Sequence, residues 1–160
     1  PALAEAGVNI SYNRNALLKP SKKNLKVHVA LENDIAVLKL FPGISKKITS
    51  AIINSSGVKA IVLETFGAGN ATTQEWFTNE LKKAIDKKII ILNITQCSEG
   101  KVIQGMYETS SHLKKLGVIG GSDMTFESAI TKLMFLLGQQ LSHSQIKKLL
   151  TTNLRGELSN

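Results

Sequence analysis

A glycine-rich stretch, Gly67-Ala68-Gly69-Asn70, is the clearest candidate for binding chemistry in the sequence. Gly67 and Gly69 permit backbone conformations and close approaches that a side chain would forbid. The amide of Asn70 carries two donor hydrogens and an acceptor oxygen, so it suits a ligand with carboxylate, amine or amide groups. The same residues are also typical of a tight turn in which Asn70 starts the following helix, and both interpretations stay open.

A second loop, with the sequence TQCSEGK from residue 95, contains the single cysteine of the chain, Cys97. Ligands of open parallel sheets bind beyond the carboxyl ends of the strands, so this loop and the glycine-rich stretch are expected to converge. A nucleophilic cysteine needs a base or a lowered pKa, and no histidine is near Cys97 in sequence. We therefore predict that Cys97 lines a ligand site or packs.

Other common site types are poorly matched. The stretch GAGNAT lacks the third glycine of a dinucleotide loop and the Gly-Lys-Ser/Thr ending of a P-loop, which argues against a nucleotide site. His28, His112 and His143 show no metal-ligand spacing, so we predict no metal site. Asp123 is predicted to cap the helix that follows it, with binding of a ligand amine as the alternative. Taken alone, these residues describe one half of a binding site, and they include no convincing nucleophile, base and orienting acid.

The elements that must position these loops are short apolar runs separated by helical patterns. Runs at 35–40, 60–65 and 89–95 predict buried strands, and 117–121 predicts a later short one. The predicted buried helix faces are Ile44, Ile48, Ala51 and Ile52; Phe77, Leu81, Ala84 and Ile85; Phe126, Ile130, Leu133, Met134 and Leu137; and Ile146, Leu149 and Leu150. The alternation predicts a three-layer α/β domain with a mostly parallel sheet of about four strands flanked by helices.

Two pairs of residues have the spacing of a helix capping box. Thr72 and Glu75 predict a helix that starts near Thr73, and Ser142 and Gln145 repeat the pattern before the last helix.

The formal net charge of +8 raises the question of a nucleic-acid partner. Most lysines, however, occur in pairs, and several pairs lie near predicted helix ends, where they complement the helix dipole. Few aromatic residues lie among them to stack on bases. The pairs are Lys22-Lys23, Lys46-Lys47, Lys82-Lys83, Lys87-Lys88, Lys114-Lys115 and Lys147-Lys148. We interpret them as solvated surface and predict no nucleic-acid partner.

The sequence also predicts where the domain begins and whether it contains a membrane or signal segment. No run approaches the roughly 18 apolar residues of a membrane span, and the opening residues lack a signal-peptide pattern, so no membrane partner is predicted. Residues 1–24 are polar, contain Pro20 and have no sustained period. They predict a linker or the tail of a preceding unit, with the domain itself at 25–160.

Several motifs together resemble the C-terminal half of bacterial type I L-asparaginases. The motifs are TFGAGNA at 65–71, NITQCSEGKV at 93–102, Tyr107, LGVIGGSDMTFESAITKL at 116–133 and NLRGEL at 153–158. The resemblance runs from about residue 41 to 158 and implies an asparaginase C-terminal domain with a flavodoxin-like, three-layer fold. It also implies that residues 1–24 are the linker and the end of a missing N-terminal domain.

In this family L-asparagine is hydrolysed to L-aspartate and ammonia by a threonine nucleophile. The resemblance places that threonine and its catalytic partners in the N-terminal domain, so it implies no catalytic residue in this chain and no activity from it alone. It further implies a cytoplasmic homo-oligomer, a dimer or a tetramer, that acts on L-asparagine together with the N-terminal domain and without a metal or organic cofactor.

The resemblance also assigns roles to particular residues. Asn70, carried by Gly67 and Gly69, matches an asparagine that approaches the substrate of a neighbouring subunit, and Tyr107 stands at a second such contact. Some type I enzymes bind asparagine at a regulatory site through an arginine and a cysteine.

That regulatory pocket would contain Glu64, Cys97 and Asp123 in this chain. Cys97 matches the family's cysteine, but Glu64 stands where the arginine is expected. A glutamate repels the carboxylate of an amino acid, so we predict that activation of this kind is lost.

Two alternatives remain open. The chain could instead belong to the asparaginase-like subunit of a tRNA-dependent amidotransferase, which would carry an extra N-terminal domain. It could also be a non-catalytic module that binds an amino acid or a nucleotide, in which case the chain alone would bind its ligand tightly.

Overall fold

The computed structural model describes residues 2–17, 19–103, 105 and 108–159. The strands are β1 (Ala4–Ala6), β2 (Ile10–Tyr12), β3 (Ile35–Lys39), β4 (Ala60–Thr65), β5 (Ile90–Thr95) and β6 (Ile119–Gly120). The helices are α1 (Lys46–Ile53), α2 (Glu75–Asp86), α3 (Glu108–Leu116), α4 (Phe126–Gly138) and α5 (His143–Leu150). None of the helices in these ranges is both long and apolar enough to cross a membrane.

A four-stranded parallel sheet forms the centre of the domain, as predicted. Its order is β3-β4-β5-β6, and the register aligns Val37, Val62, Leu92 and Ile119 in one row across it. Each strand therefore lies beside the next one along the chain. The order is not reversed among these four strands, so they contain no topological switch point.

The sheet is covered by helices on both faces, which confirms the predicted three layers. Because every crossover steps in the same direction, α1, α2 and α3 share one face, where Ile61 and Leu63 of β4 pack. Val62 and Leu92 point to the opposite face, which α4 and α5 cover. Every residue of β4 is buried, as expected for a central parallel strand.

The predicted helix faces are correct except in α1. Phe77, Leu81 and Ala84 of α2 are buried. In α4, Leu133 is buried while Phe126, Ile130, Met134 and Leu137 are partly buried; in α5, Ile146 and Leu150 are buried and Leu149 partly so.

In α1 the buried residues are Thr49 and Ile53, whereas Ile48 is 50% exposed and Ala51 is exposed. Ile44 lies before the helix begins, but Ile44 and Ile52 are partly buried and pack against the same cluster as Ile53, so these two predicted positions are correct.

One of the two predicted capping boxes is present. The Ser142 hydroxyl accepts a hydrogen bond from the Gln145 N–H, and the Gln145 side chain accepts one from the Ser142 N–H. The box at Thr72 and Glu75 is wrong, because α2 begins later, at Glu75. The Thr72 hydroxyl instead accepts from the backbone N–H of Gln74 in the preceding turn.

The lysine pairs mostly lie where the dipole argument placed them. Lys114-Lys115 and Lys147-Lys148 occupy the last turns of α3 and α5. There are two exceptions. Lys22-Lys23 lies in the chain before the sheet, away from any described helix, and Lys46-Lys47 starts α1 at the positive end of its dipole, where no acidic residue compensates.

The residues before the sheet, 2–17 and 19–33, form what we call the N-terminal arm. Its first part is an antiparallel hairpin of β1 and β2, two strands that the sequence did not predict. Its later part runs extended along α4, and the two backbones are so close that a Cβ on Gly138 would lie 2.3 Å from the Ala30 carbonyl oxygen. Leu25, Val27 and Val29 face away from the domain and are 92%, 73% and 88% exposed.

Candidate functional site at the carboxyl edge of the sheet

The glycine-rich stretch forms a tight turn directly after β4. Backbone hydrogen bonds join Phe66 N–H to the Asn70 oxygen at 2.9 Å and Asn70 N–H to the Phe66 oxygen at 2.8 Å. Gly67 and Gly69 have φ of +49° and +101°, so both occupy the left-handed region that glycine tolerates. The turn interpretation is therefore right, but Asn70 does not start α2, which begins five residues later at Glu75.

Two side chains from the carboxyl end of β5 hold this turn. The Thr95 hydroxyl donates to the Gly67 carbonyl oxygen at 2.6 Å, and the Asn93 amide donates to the Gly69 carbonyl oxygen at 3.3 Å. A Cβ on Gly69 would lie 2.8 Å from Val102 Cγ1. The turn is thus fixed to the sheet through its backbone, and the sheet in this way sets the position of Asn70.

A cavity of about 420 Å³ opens beside this turn and brings together Glu64, Cys97 and Asp123. Glu64 is 8% exposed, and its carboxylate pairs with Lys39 Nζ at 3.1 Å. The sequence predicts that Glu64 repels the carboxylate of a ligand. In the structure Lys39, on the neighbouring strand, adds a positive charge beside Glu64. The cavity is therefore lined by charges of both signs.

Asp123 is held by the C-terminal residues and does not cap a helix. Its two carboxylate oxygens accept from the Ser159 N–H at 3.1 and 3.2 Å. The hydrogen bond from the Ser159 side chain lowers the pKa of Asp123, against the opposing effect of burial. Thr125 caps α4 instead, accepting from the Ser128 N–H, so the predicted capping role of Asp123 is wrong and its place in the cavity leaves a ligand role open.

Cys97 is exposed at the cavity, and its backbone N–H donates to the Thr95 hydroxyl at 3.1 Å. The described residues that line this cavity include no histidine to serve as its base. His28 lies at the arm, against Phe135 and Gln139 of the α4 region. Within the described ranges, no group of three or more His, Cys, Asp or Glu residues could hold a metal ion.

Two residues that position the site were not predicted from the sequence. Asn93 is fully buried in β5, and Lys39 ends β3. A polar residue within an otherwise apolar strand run, as in IILNIT and IAVLK, was the available signal in both cases. Tyr107, the second expected substrate contact, lies outside the described residues.

The arrangement provides binding groups in two adjoining places. The turn carries an amide, and the cavity offers carboxylates, an ammonium and a thiol. Such a set can hold the charged ends and the amide of a free amino acid by hydrogen bonds.

The comparisons with known proteins agree on one family. A model described as the glutaminase/asparaginase C-terminal domain matches residues 34–150. L-asparaginase 1 of Escherichia coli K12 is 40% identical over 159 residues, which cover 99% of this chain and 47% of that protein. A glutamyl-tRNA(Gln) amidotransferase subunit of Pyrococcus abyssi is 31% identical over 150 residues, 94% of this chain and 34% of that protein.

A solved structure gives the same result. L-asparaginase I of Vibrio cholerae superposes with a TM-score of 0.92 at 38% identity, and the match covers all of this chain and 48% of that one. The chain thus spans about half the length of the asparaginases it matches.

Proposed function

Because the chain belongs to the glutaminase/asparaginase family and contains the C-terminal domain of that family, we propose that it is the C-terminal domain of an enzyme that hydrolyses L-asparagine to L-aspartate and ammonia. The observation that carries this proposal is the match to L-asparaginases along nearly the whole chain in both sequence and structure. The nucleophile, a threonine, then belongs to an N-terminal domain of the same protein. This chain contributes binding groups and an interface.

Within that enzyme, Asn70 contacts the substrate of a neighbouring subunit. The geometry of its turn supports this role, since two glycines at positive φ bring the backbone around sharply and two side chains from β5 fix the turn. A side chain held on such a support loses little freedom when it binds a ligand, which favours recognition. Tyr107 is the second proposed contact, and it depends on the resemblance alone.

The domain boundary and the oligomer are further parts of the proposal. Residues 1–24 belong to the N-terminal domain and its linker, and 25–160 form the C-terminal domain of a cytoplasmic dimer or tetramer. The arm exposes the apolar side chains of Leu25, Val27 and Val29. These side chains support an interface with another domain or subunit, because an exposed apolar stripe of this kind normally marks one.

The cavity at Glu64, Cys97 and Asp123 is proposed as the counterpart of the regulatory site, in which activation by asparagine is lost. In this cavity Lys39 is already paired with Glu64, so a ligand carboxylate would compete with a carboxylate of the protein for the same ammonium. Sigmoidal asparagine kinetics of the full-length enzyme that disappear in Cys97→Ala would contradict this loss.

The likeness to an amidotransferase subunit keeps a second candidate function in view. That enzyme would also release ammonia but would deliver it to a tRNA-bound amino acid. Dependence of turnover on charged tRNA and on a partner protein would favour it over a free asparaginase.

The proposal is tested by measuring ammonia release from asparagine and glutamine with the full-length protein and with residues 1–160 at matched concentration. We expect activity in the full-length protein only, with asparagine as the better substrate. Turnover by the 160-residue chain would contradict the split of the site between domains. Inactivity of both, with tight asparagine binding to the chain alone, would instead support a non-catalytic binding module.

A further inference from the structure

A second and larger cavity lies away from the site just described. It has a volume of about 860 Å³ and shares no lining residue with the cavity at Glu64. Its walls are the N-terminal arm, α4 from Ser128 to Leu136, the end of α5 and the C-terminal residues 154–157. We call it the amphipathic groove, and its volume is within the usual range of sites for small organic ligands.

The floor of the amphipathic groove is apolar. It is formed by one aromatic and four aliphatic side chains from α4, α5 and the loops that follow them: Phe135, Leu136, Leu141, Leu149 and Leu154. Of these, only Leu136 is fully buried, so the other four expose part of their surface to the groove. An apolar surface of this kind gains free energy when a hydrocarbon chain removes it from water.

The charged pair at one side of the groove is internally satisfied. Lys132 Nζ donates to Glu157 Oε1 at 2.6 Å, to the Thr152 oxygen at 2.6 Å and to the Leu150 oxygen at 3.2 Å, which uses all three donor hydrogens. Glu157 also accepts from two backbone N–H groups, those of Leu154 and Arg155. This pair fixes the C-terminal residues to α4 and offers neither charge to a ligand.

Two further cations on the rim are not committed in this way. Lys26 of the arm and Arg155 line the groove, and neither forms a salt bridge with any described residue. Arg155 donates one hydrogen bond, from Nη1 to the Leu154 carbonyl oxygen at 2.9 Å, which leaves its other donors for a ligand. Glu157 is the one acidic residue among the described lining, and Lys132 already neutralises it. The rim is therefore positive above an apolar floor.

The arm leaves this side of the chain available even when its other side is covered. Lys26 and His28 line the groove, whereas the alternating Leu25, Val27 and Val29 face away from the domain. A surface that covers Leu25, Val27 and Val29 would therefore lie on the side of the arm opposite the amphipathic groove and would leave the groove open.

From this geometry we propose that the amphipathic groove binds a single-chain amphipathic carboxylate of the fatty-acid class. The hydrocarbon chain lies on the leucines and Phe135, and the carboxylate pairs with Lys26 and Arg155. An arginine suits this role because its planar guanidinium matches a carboxylate in two parallel hydrogen bonds. The site is independent of asparagine hydrolysis, because it shares no residue with the proposed substrate contacts.

The test is calorimetric titration of dodecanoate, below its micelle-forming concentration, into the full-length protein. We expect saturable binding with one site per protomer. The double variant Lys26→Glu/Arg155→Glu should bind at least tenfold more weakly, and Leu149→Glu should also weaken binding because it places a charge on the apolar floor. Lys114→Glu/Lys115→Glu, an equal charge change on exposed residues of α3 in the opposite layer, is the matched control and should bind as the parent does.

Several results would overturn the proposal. They are the absence of saturable binding, an equal loss of affinity in the control, or equal affinity for the uncharged alcohol dodecanol. Circular dichroism and asparagine turnover of each variant establish that it is folded. Because the readout is binding, failure of this proposal is distinguishable from failure of the proposed enzymatic function.

Discussion

The side-chain amide of Asn93, buried in the central sheet, donates a hydrogen bond of 3.3 Å to the carbonyl oxygen of Gly69 in the glycine-rich turn. On its other side, the Asn93 oxygen accepts from the Thr65 hydroxyl at 2.7 Å. One buried side chain thus connects the strand before the turn to the turn itself. Asn93 is therefore a positioning residue for the proposed contact at Asn70.

We expect Asn93→Ala to lower both stability and substrate affinity of the full-length enzyme. The Gly69 carbonyl loses the Asn93 donor, a loss that costs on the order of 1–3 kcal/mol, and the turn loses its support. Denaturant unfolding and the KM for asparagine measure the two effects. Thr65→Val is the control, because it removes the bond to Asn93 but keeps the bond from Asn93 to Gly69. If both variants kept the parental KM, Asn93 would have only a structural role.

Gly69→Ala should impair the turn more than backbone strain alone explains. The new Cβ would meet Val102 Cγ1 at 2.8 Å in addition to adopting a φ of +101°. Gly117→Ala is a matched control, since Gly117 has a φ of +100° and its Cβ would be 3.7 Å from the nearest atom. We expect a larger loss of both melting temperature and kcat/KM in Gly69→Ala. Equal losses in the two variants would show that the contact with Val102 is unimportant.

Asn70→Ala in the full-length enzyme should raise KM or lower kcat/KM for asparagine while the protein stays folded. A lost hydrogen bond to a charged end of the substrate corresponds to roughly 1.5–3 kcal/mol, or about 10- to 150-fold in kcat/KM. Asn33→Ala, at an exposed position of the arm, is the control. Parental kinetics in Asn70→Ala would remove this residue from the site.

Glu157 should make the stability of the domain depend on pH at the acidic end. Burial by itself raises the pKa of Glu157, but the hydrogen bond from Lys132 and those from the backbone N–H groups of Leu154 and Arg155 outweigh it and lower the pKa to about 2. A lowered pKa in the folded state adds stability that is complete above the ordinary value of 4.5 and disappears as the pH falls through about 2. The shift corresponds to roughly 3 kcal/mol.

The variant Glu157→Gln isolates this contribution. It leaves the ammonium of Lys132 buried without its charge partner, so we expect a loss of about 3 kcal/mol near neutral pH. Urea unfolding at a series of pH values should show that the difference from the parent shrinks between about pH 4.5 and 2. A difference that stays constant over that interval would contradict the lowered pKa.

Thr49→Val should stabilise the protein. The Thr49 hydroxyl is fully buried in α1 and has no hydrogen-bond partner among the described residues. Replacing it by a methyl group of similar size removes an unsatisfied polar atom, which should gain about 1 kcal/mol. Thr78→Val in α2 is the contrast, because the Thr78 hydroxyl donates to the Glu75 carbonyl at 3.0 Å. If Thr49→Val melted at a lower temperature than the parent, the hydroxyl would have a partner in solution.

The sheet could be predicted because its strands are nearly continuous apolar runs, a pattern that comes from burial on both faces. The start of α2 could not, because Thr72 and Glu75 have the right spacing for a capping box but the chain first completes the turn at Asn70. The spacing of Thr72 and Glu75 carries no information about the turn that precedes the helix.

The candidate site was only partly visible in the sequence for a similar reason. Gly67, Gly69 and Asn70 are adjacent and could be recognised together, whereas Asn93 and Lys39 reach the site from other strands. Their roles depend on the strand register, which places Lys39 beside Glu64. The residue type and position of Asp123 predict a helix cap, whereas its partner in the structure, the Ser159 N–H, is 36 residues away and could not be read from the local sequence.

The exposed apolar stripe of the N-terminal arm also bears on how the isolated chain behaves at high concentration. Leu25, Val27 and Val29 alternate along a segment that belongs to no strand among the described residues. An extended segment with one apolar side and unpaired backbone groups is a template for pairing between molecules, and hence for aggregation.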